Sequence, residues 1–119
     1  MKILVVDDSR AMRMIVKRTL SQTGYAHATL LEASNGLEAL EVIASEQPDL
    51  VLSDWNMPEM SGIDLLDALA AEGTSVAFGF VTSESTPDMY ARAMSSGAKF
   101  LVSKPFTPES LESALAGAL

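Results

Sequence analysis

Five apolar runs of strand length alternate with five segments of helical period along the 119 residues, with short links between them. The first run, Ile3-Leu4-Val5-Val6, is apolar without a break, as a strand covered on both faces must be. These two observations predict an α/β fold: a (βα)5 doubly wound, five-stranded parallel sheet with helices on both faces. Right-handed crossovers then restrict the topology to few choices.

The elements follow in order. After Ile3–Val6, residues Met12, Ile15, Val16, Thr19 and Leu20 recur at helical spacing on an expected core face, and Gly24 is the expected helix stop. Ala28 to Ala33 reads as the second strand. Asn35-Gly36 opens a second helix whose inner face is marked by Leu37, Leu40, Ile43 and Ala44. Pro48-Asp49 punctuates the chain before the third strand, Leu50-Val51-Leu52-Ser53. Gly62 precedes a third helix carrying Ile63, Leu65, Leu66 and Leu69. Val76 to Val81 is the fourth strand, with Gly79 as a weak point in its middle. Thr86-Pro87-Asp88 is a cap followed by proline at the first helical position, which starts a fourth helix. Phe100-Leu101-Val102 is the fifth strand. Thr107-Pro108-Glu109 repeats the start signal for a last helix with Leu111, Ala114, Leu115 and Ala118. Residues 1–119 are therefore expected to form one domain, without an output domain.

Composition narrows the function. Hydrophobic residues make up 48% of the chain, enough for a core that needs no staples. The absence of cysteine removes disulfides, thiolate metal sites and catalytic thiols. The N-terminal apolar stretch is too short for a signal-peptide core, and no run approaches the roughly 18 apolar residues of a membrane span. A cytoplasmic protein with no membrane partner is expected. Sixteen acidic against eight basic residues give a net charge of −8, which repels phosphate backbones and argues against nucleic-acid binding. His27 is the only histidine and is read as a surface or strand-edge residue.

In a fold of this kind, ligands bind beyond the carboxyl ends of the strands. The residues that follow the strands are Asp7 and Asp8, then Ser34 and Asn35, Asp54, Thr82 and Lys104. Three carboxylates at one edge suit a hard divalent cation such as Mg²⁺, which takes one or two carboxylates together with water and phosphate oxygens. Lys104 adds a positive charge for a phosphoryl oxygen, and Thr82 a hydroxyl donor. A carboxylate can itself accept a phosphoryl group. Each residue taken singly has an ordinary reading: an Asp-Asp pair before a helix serves equally well as a cap. Those readings do not predict that all four positions converge on one sheet edge.

The motifs Val5-Val6-Asp7-Asp8-Ser9, Ser53-Asp54-Trp55-Asn56-Met57-Pro58-Glu59-Met60-Ser61-Gly62, Val81-Thr82-Ser83-Glu84 and Ser103-Lys104-Pro105-Phe106 resemble those of response-regulator receiver domains over the whole chain. The Asp-Trp-Asn-Met-Pro run looks most like stand-alone chemotaxis regulators, which are flavodoxin-like in fold. The resemblance implies that Asp54 accepts a phosphoryl group from a phosphohistidine on a sensor histidine kinase or phosphotransfer protein. It implies Mg²⁺ (with Mn²⁺ as a substitute) held by Asp8, by Asp7 through water, by Asp54 and by the backbone carbonyl of Asn56. Lys104 would pair with the phosphoryl group, and the Thr82 hydroxyl would swing to it after transfer. Asn56 and Glu84 would tune its loss to water, and Trp55 would lie near the site as a backbone donor and fluorescent reporter. A cis Lys104–Pro105 peptide is also implied.

One position departs from the family. A Tyr or Phe usually stands three residues before the lysine, and here that residue is Leu101; Phe100, its neighbour, should face the other side of the sheet. Output is therefore expected to run through the 83–88 loop and the fourth helix. The expected output surface is the face of the fourth helix, fifth strand and fifth helix, with Met57, Met60 and Met89 flanking the cleft. Its target would be a downstream protein such as a flagellar motor or another relay protein, and a monomer is expected.

The resulting reading is a self-phosphorylating, slowly self-dephosphorylating switch, not a metabolic enzyme. The other readings considered are an intermediate phosphoacceptor in a relay unrelated to chemotaxis and an aspartyl-phosphate phosphatase. The phosphatase generally needs a second acid two residues after the nucleophile, where this chain has Asn56. A degenerate interaction module is not favoured, because Asp7, Asp8, Asp54, Thr82 and Lys104 are all present. Flavin binding would require a phosphate loop where Asp7 and Asp8 stand.

Overall fold

Alternation along the chain produces ten elements in a computed structural model that describes all 119 residues. They are β1 (Lys2–Val6), α1 (Arg10–Leu20), β2 (Thr29–Ala33), α2 (Gly36–Glu46), β3 (Leu50–Ser53), α3 (Gly62–Ala71), β4 (Ala77–Thr82), α4 (Pro87–Ser95), β5 (Phe100–Ser103) and α5 (Pro108–Ala118). The strands form one parallel sheet in the order β2-β1-β3-β4-β5.

Side chains alternate along each strand, so the sheet has two apolar faces and needs a helical layer on each. Ile3, Val5, Leu50, Leu52, Val81 and Phe100 point to one face, where they pack with Val16 and Leu20 of α1 and Leu111 and Leu115 of α5. Leu4, Val6, Val51, Phe78 and Phe80 point to the other, against Ala39 and Ile43 of α2, Leu65, Leu66 and Leu69 of α3 and Ala93 of α4. Full burial of a leucine such as Leu111 contributes roughly 2 kcal/mol, so either layer holds several such anchors.

Every helix starts the same way. Ser9, Asn35, Ser61, Thr86 and Thr107 are in extended conformation, and each side-chain oxygen accepts a hydrogen bond from the amide three residues on. Each such cap stabilises its helix by about 1 kcal/mol. These caps lie at the carboxyl edge of the sheet, so all five helix starts surround the same crevice.

Three local expectations are corrected. α1 ends at Leu20, not at Gly24, because the hydroxyls of Ser21 and Thr23 bind the carbonyls of Arg18 and Leu20. The chain then turns through residues 21–28, and the Gly24 amide donates to the Glu112 carboxylate of α5. The buried stripes are also narrower than the periodicity suggested. In α1 only Val16 and Leu20 are buried; Ile15 is 45% exposed and Met12 half-buried. In α2 the stripe is Ala39 and Ile43, while Leu37 and Ala44 face solvent. Residues four apart share one line along a helix, and a slightly rotated helix shows the sheet only that line. Gly79, finally, is a fitted position and not a weak one: a Cβ there would overlap the Phe100 ring, which lies over it from β5.

Candidate functional site

Strand register places the polar residues. Val6 pairs with Ser53 and Ser53 with Phe80, so Asp7 and Asp54 leave adjacent strands side by side. Thr82 pairs with Ser103 one strand further, and Lys104 follows directly, its amide donating to the Thr82 carbonyl at 2.8 Å. The Asp54 amide donates to the Val6 carbonyl at 2.9 Å, which ties β3 to β1 at the edge.

Asp7 is almost wholly buried, at 4% exposure. Its Oδ1 accepts from the Ser9 amide at 2.9 Å and its Oδ2 from Lys104 Nζ at 3.3 Å. Lys104 Nζ also lies 3.7 Å from Asp54 Oδ2, so one ammonium stands between two carboxylates. Asp54 Oδ1 accepts from the Trp55 amide at 2.7 Å. Burial pushes the Asp54 carboxyl above its ordinary range; Lys104 opposes this, Asp7 adds to it, the Trp55 amide opposes it, and Asp8 adds again.

The loop after β3 fits closely around Asp54. The Ser53 hydroxyl donates to the Asp54 carbonyl at 2.8 Å, and the Gly62 amide closes the loop onto the Trp55 carbonyl at 2.8 Å. A side chain at Gly62 would overlap the Asp54 carbonyl and the Phe80 ring, so glycine is required there by close approach. The Trp55 ring packs on Phe80 at a centroid distance of 4.8 Å, which ties the one tryptophan, the residue after Asp54, to β4.

Oxygens of Asp7, Asp8 and Asp54 lie within 4.8 Å of one another. Two oxygens on one Mg²⁺ are at most about 4.2 Å apart, so a small closure, or a water between the ion and Asp7, completes a hard oxygen site. The donor set therefore fits Mg²⁺. The Asn56 carbonyl receives no hydrogen bond from the protein and is free to join.

The structure thus gathers Asp7, Asp8, Asp54 and Lys104, with Thr82 joined through the Lys104 amide. Thr82 is fully buried, and its Oγ1 accepts from the Glu84 amide at 3.3 Å, which leaves the hydroxyl proton to offer. Asn56 and the Glu84 side chain are exposed at the mouth. The Lys104–Pro105 peptide is cis. Leu101 is half-buried against the α2–α3–α4 layer, and Phe100 lies on the opposite face, as alternation required. His27 is exposed in a turn far along the chain from these residues.

Known proteins share this chain's sequence pattern and fold. The response regulator receiver domain profile matches residues 3–116. The chain belongs to the response-regulator receiver family. Chemotaxis protein CheY1 of Helicobacter pylori is 40% identical to this receiver over 118 residues, covering 97% of this chain and 94% of the relative. Chemotaxis protein CheY of Pseudomonas aeruginosa is 40% identical over 114 residues, 94% of this chain and 90% of its own. Among solved structures, Vibrio cholerae CheY4 superposes with a TM-score of 0.88 at 32% identity, covering 99% of this chain and 98% of that one. The protein is thus a CheY-like receiver of two-component signalling, and receivers bind Mg²⁺ in an acidic pocket.

Several residues that shape this receiver's site escaped the sequence reading. Ser53 and Gly62 fix the Asp54 backbone, and Ser9 combines a cap with the bond to Asp7. Arg13 Nη1 donates to the Asp7 carbonyl at 2.7 Å. The sequence held one signal for it: a basic residue in the amino-terminal half of a helix with no acidic residue in its first turn.

Proposed function

We propose that this receiver is a switch in which Asp54 takes a phosphoryl group from a phosphohistidine, in a pathway that controls motility. The observation that carries the reading is Lys104 Nζ standing 3.3 Å from Asp7 Oδ2 and 3.7 Å from Asp54 Oδ2 beside three clustered carboxylates. In the reaction a carboxylate oxygen of Asp54 forms the new P–O bond as the donor's P–N bond breaks. Phosphoryl transfer of this kind depends on positioning and charge neutralisation more than on covalent help. Asp8, Asp54 and the Asn56 carbonyl, with Asp7 through water, would hold Mg²⁺, which when bound screens the repulsion between nucleophile and phosphoryl oxygens. The Trp55 amide holds the Asp54 carboxylate in place, Lys104 offers its ammonium to a phosphoryl oxygen, and the Thr82 hydroxyl supplies a further donor.

A donor protein would dock beside Lys104. Met12, Ile15, Pro105 and Phe106 line an apolar groove of about 300 Å³ that ends at Lys104, so a helix packed there would hold its phosphohistidine near Asp54. Release of the Thr82–Glu84 contact would pass the change to residues 83–88 and α4. α4 buries only Ala93, and so is the helix most easily shifted. A downstream protein of the motility apparatus would read the α4–β5–α5 face. The relatives named CheY support the motility assignment.

The test is a Mg²⁺ titration followed by a small acyl phosphate, watched through Trp55 fluorescence. Each addition should change the signal, and D54A should lose the second change. A phosphorylation signal that survives D54A would overturn the assignment of Asp54. Continuous release of phosphate over many rapid turnovers would overturn the switch in favour of a phosphatase.

A further inference from the structure

Asp7 is fixed at every polar atom it has. Its amide donates to the Ala33 carbonyl at 3.1 Å, Oδ1 accepts from Ser9 and Oδ2 from Lys104, and its carbonyl accepts from Arg13 Nη1 at 2.7 Å. The last of these bonds controls the next residue. The Asp7 carbonyl and the Asp8 amide belong to one planar peptide unit, so holding that oxygen sets the plane from which Asp8 departs. Asp8 itself is exposed and makes no hydrogen bond of its own. Its carboxylate is therefore aimed by the backbone before it.

Arg13 is built for this task. Its side chain is only 14% exposed, and while Nη1 holds the Asp7 carbonyl, Nε donates to Glu32 Oε1 of β2 at 3.0 Å. The rigid guanidinium fork thus ties the loop after β1 to the neighbouring strand. Glu32 is also held by Lys17 at 3.1 Å, and its carboxyl is lowered first by Lys17 and then by Arg13. Glu32 therefore has a second cation of its own, whereas the Asp7 carbonyl has only Arg13. The helix start does not favour a cation either, because its free amides already present positive potential.

We infer that Arg13 is a positioning residue for the cation site: its fork between Glu32 and the Asp7 carbonyl orients the 7–8 peptide so that Asp8 meets Mg²⁺. The inference rests on the reading of Asp7, Asp8 and Asp54 as a Mg²⁺ site. Charge alone predicts the reverse, since removing a cation beside three carboxylates should tighten binding of a divalent ion.

That opposition of sign is the experiment. Mg²⁺ affinity is measured by Trp55 fluorescence on metal-stripped parental protein, R13M, R13K and K17M, with urea unfolding as the check on folding. R13M should bind roughly 10-fold more weakly, the usual effect of losing a second partner behind a metal ligand. K17M removes a cation from the same Glu32 and leaves the Asp7 bond, and should bind as tightly as the parent or slightly tighter. R13K keeps the charge and the fold but cannot hold both acceptors, and should fall between R13M and the parent. Phosphorylation of R13M by the acyl phosphate should be slow at low Mg²⁺ and regain the parental rate at saturation. Parental or tighter affinity in R13M, or parental affinity in R13K, would overturn the inference alone. A parental protein with no Mg²⁺ response would overturn the cation site itself, and the inference with it.

Discussion

Replacing Asp54 by Asn should stabilise this protein at neutral pH, because the native site holds an ionised carboxylate partly out of water. The substitution removes one charge and keeps the shape, and the carboxamide oxygen can still accept from the Trp55 amide. The folded-state pKa of Asp54 is raised from its ordinary 3.8, chiefly by burial. A raised carboxyl means that ionising Asp54 costs the folded state more than the unfolded one. The burden is absent below the unfolded pKa, grows as pH climbs, and is complete once pH exceeds the folded pKa. Its size follows from the distances. At an effective dielectric of about 20, Lys104 at 3.7 Å attracts Asp54 by about 4.5 kcal/mol, and each carboxylate within 4.8 Å repels it by about 3.5 kcal/mol or more. The Trp55 amide adds roughly 2 kcal/mol to the attraction and water screens the exposed Asp8, so these contributions nearly cancel and the burden left is that of burial, roughly 1–2 kcal/mol. Urea unfolding followed by far-ultraviolet circular dichroism, in EDTA and low salt, should show D54N more stable by that amount at pH 7.5. The gain should vanish near pH 3. Mg²⁺ at ten times its dissociation constant should stabilise the parent by about 1.4 kcal/mol and narrow the gap. If D54N were no more stable than the parent at pH 7.5 without Mg²⁺, the picture of a carboxylate held ionised at a cost in burial would be wrong.

Three further outcomes are expected. G79A should lose roughly 1–3 kcal/mol in urea unfolding, since the added methyl meets the Phe100 ring; pairing it with F100L should recover part of the loss. T86A removes the cap that accepts from the Met89 amide at 3.1 Å, and should cost about 1 kcal/mol. Amide hydrogen exchange should show that loss as faster opening of residues 87–95. I15E, in the groove beside Lys104, should slow transfer from a phosphohistidine protein roughly tenfold more than transfer from an acyl phosphate; equal slowing would remove the groove as a docking site.

The sequence reading and the structure agree most closely where the signal is local. Asn35 caps the helix it is read to open, and Thr86-Pro87 and Thr107-Pro108 open helices as their residue types require. Phe100 and Leu101 fall on opposite faces because alternation along a strand is a property of the chain. Disagreement begins where a helix must choose its angle to the sheet. Ile15 and Leu37 carry the right period, yet face solvent, because periodicity marks a broad face and packing selects one line within it. Gly79 looks like a defect until the ring from the neighbouring strand is seen over it.

The chain's own pattern was enough to establish a parallel α/β sheet and to list which residues follow its strands. Parallel strands bring all their carboxyl ends to one edge, so Asp7, Asp8, Asp54, Thr82 and Lys104 had to share it. Their distances depended on facts with no local signature: the β2-β1-β3-β4-β5 order and a register that sets Val6 beside Ser53. Those facts put Asp7 next to Asp54 with Lys104 between them. The link from Arg13 to the Asp7 carbonyl was equally invisible. A side chain reaching a backbone oxygen across a turn leaves no periodic trace, because it answers to position in space and not to order along the chain.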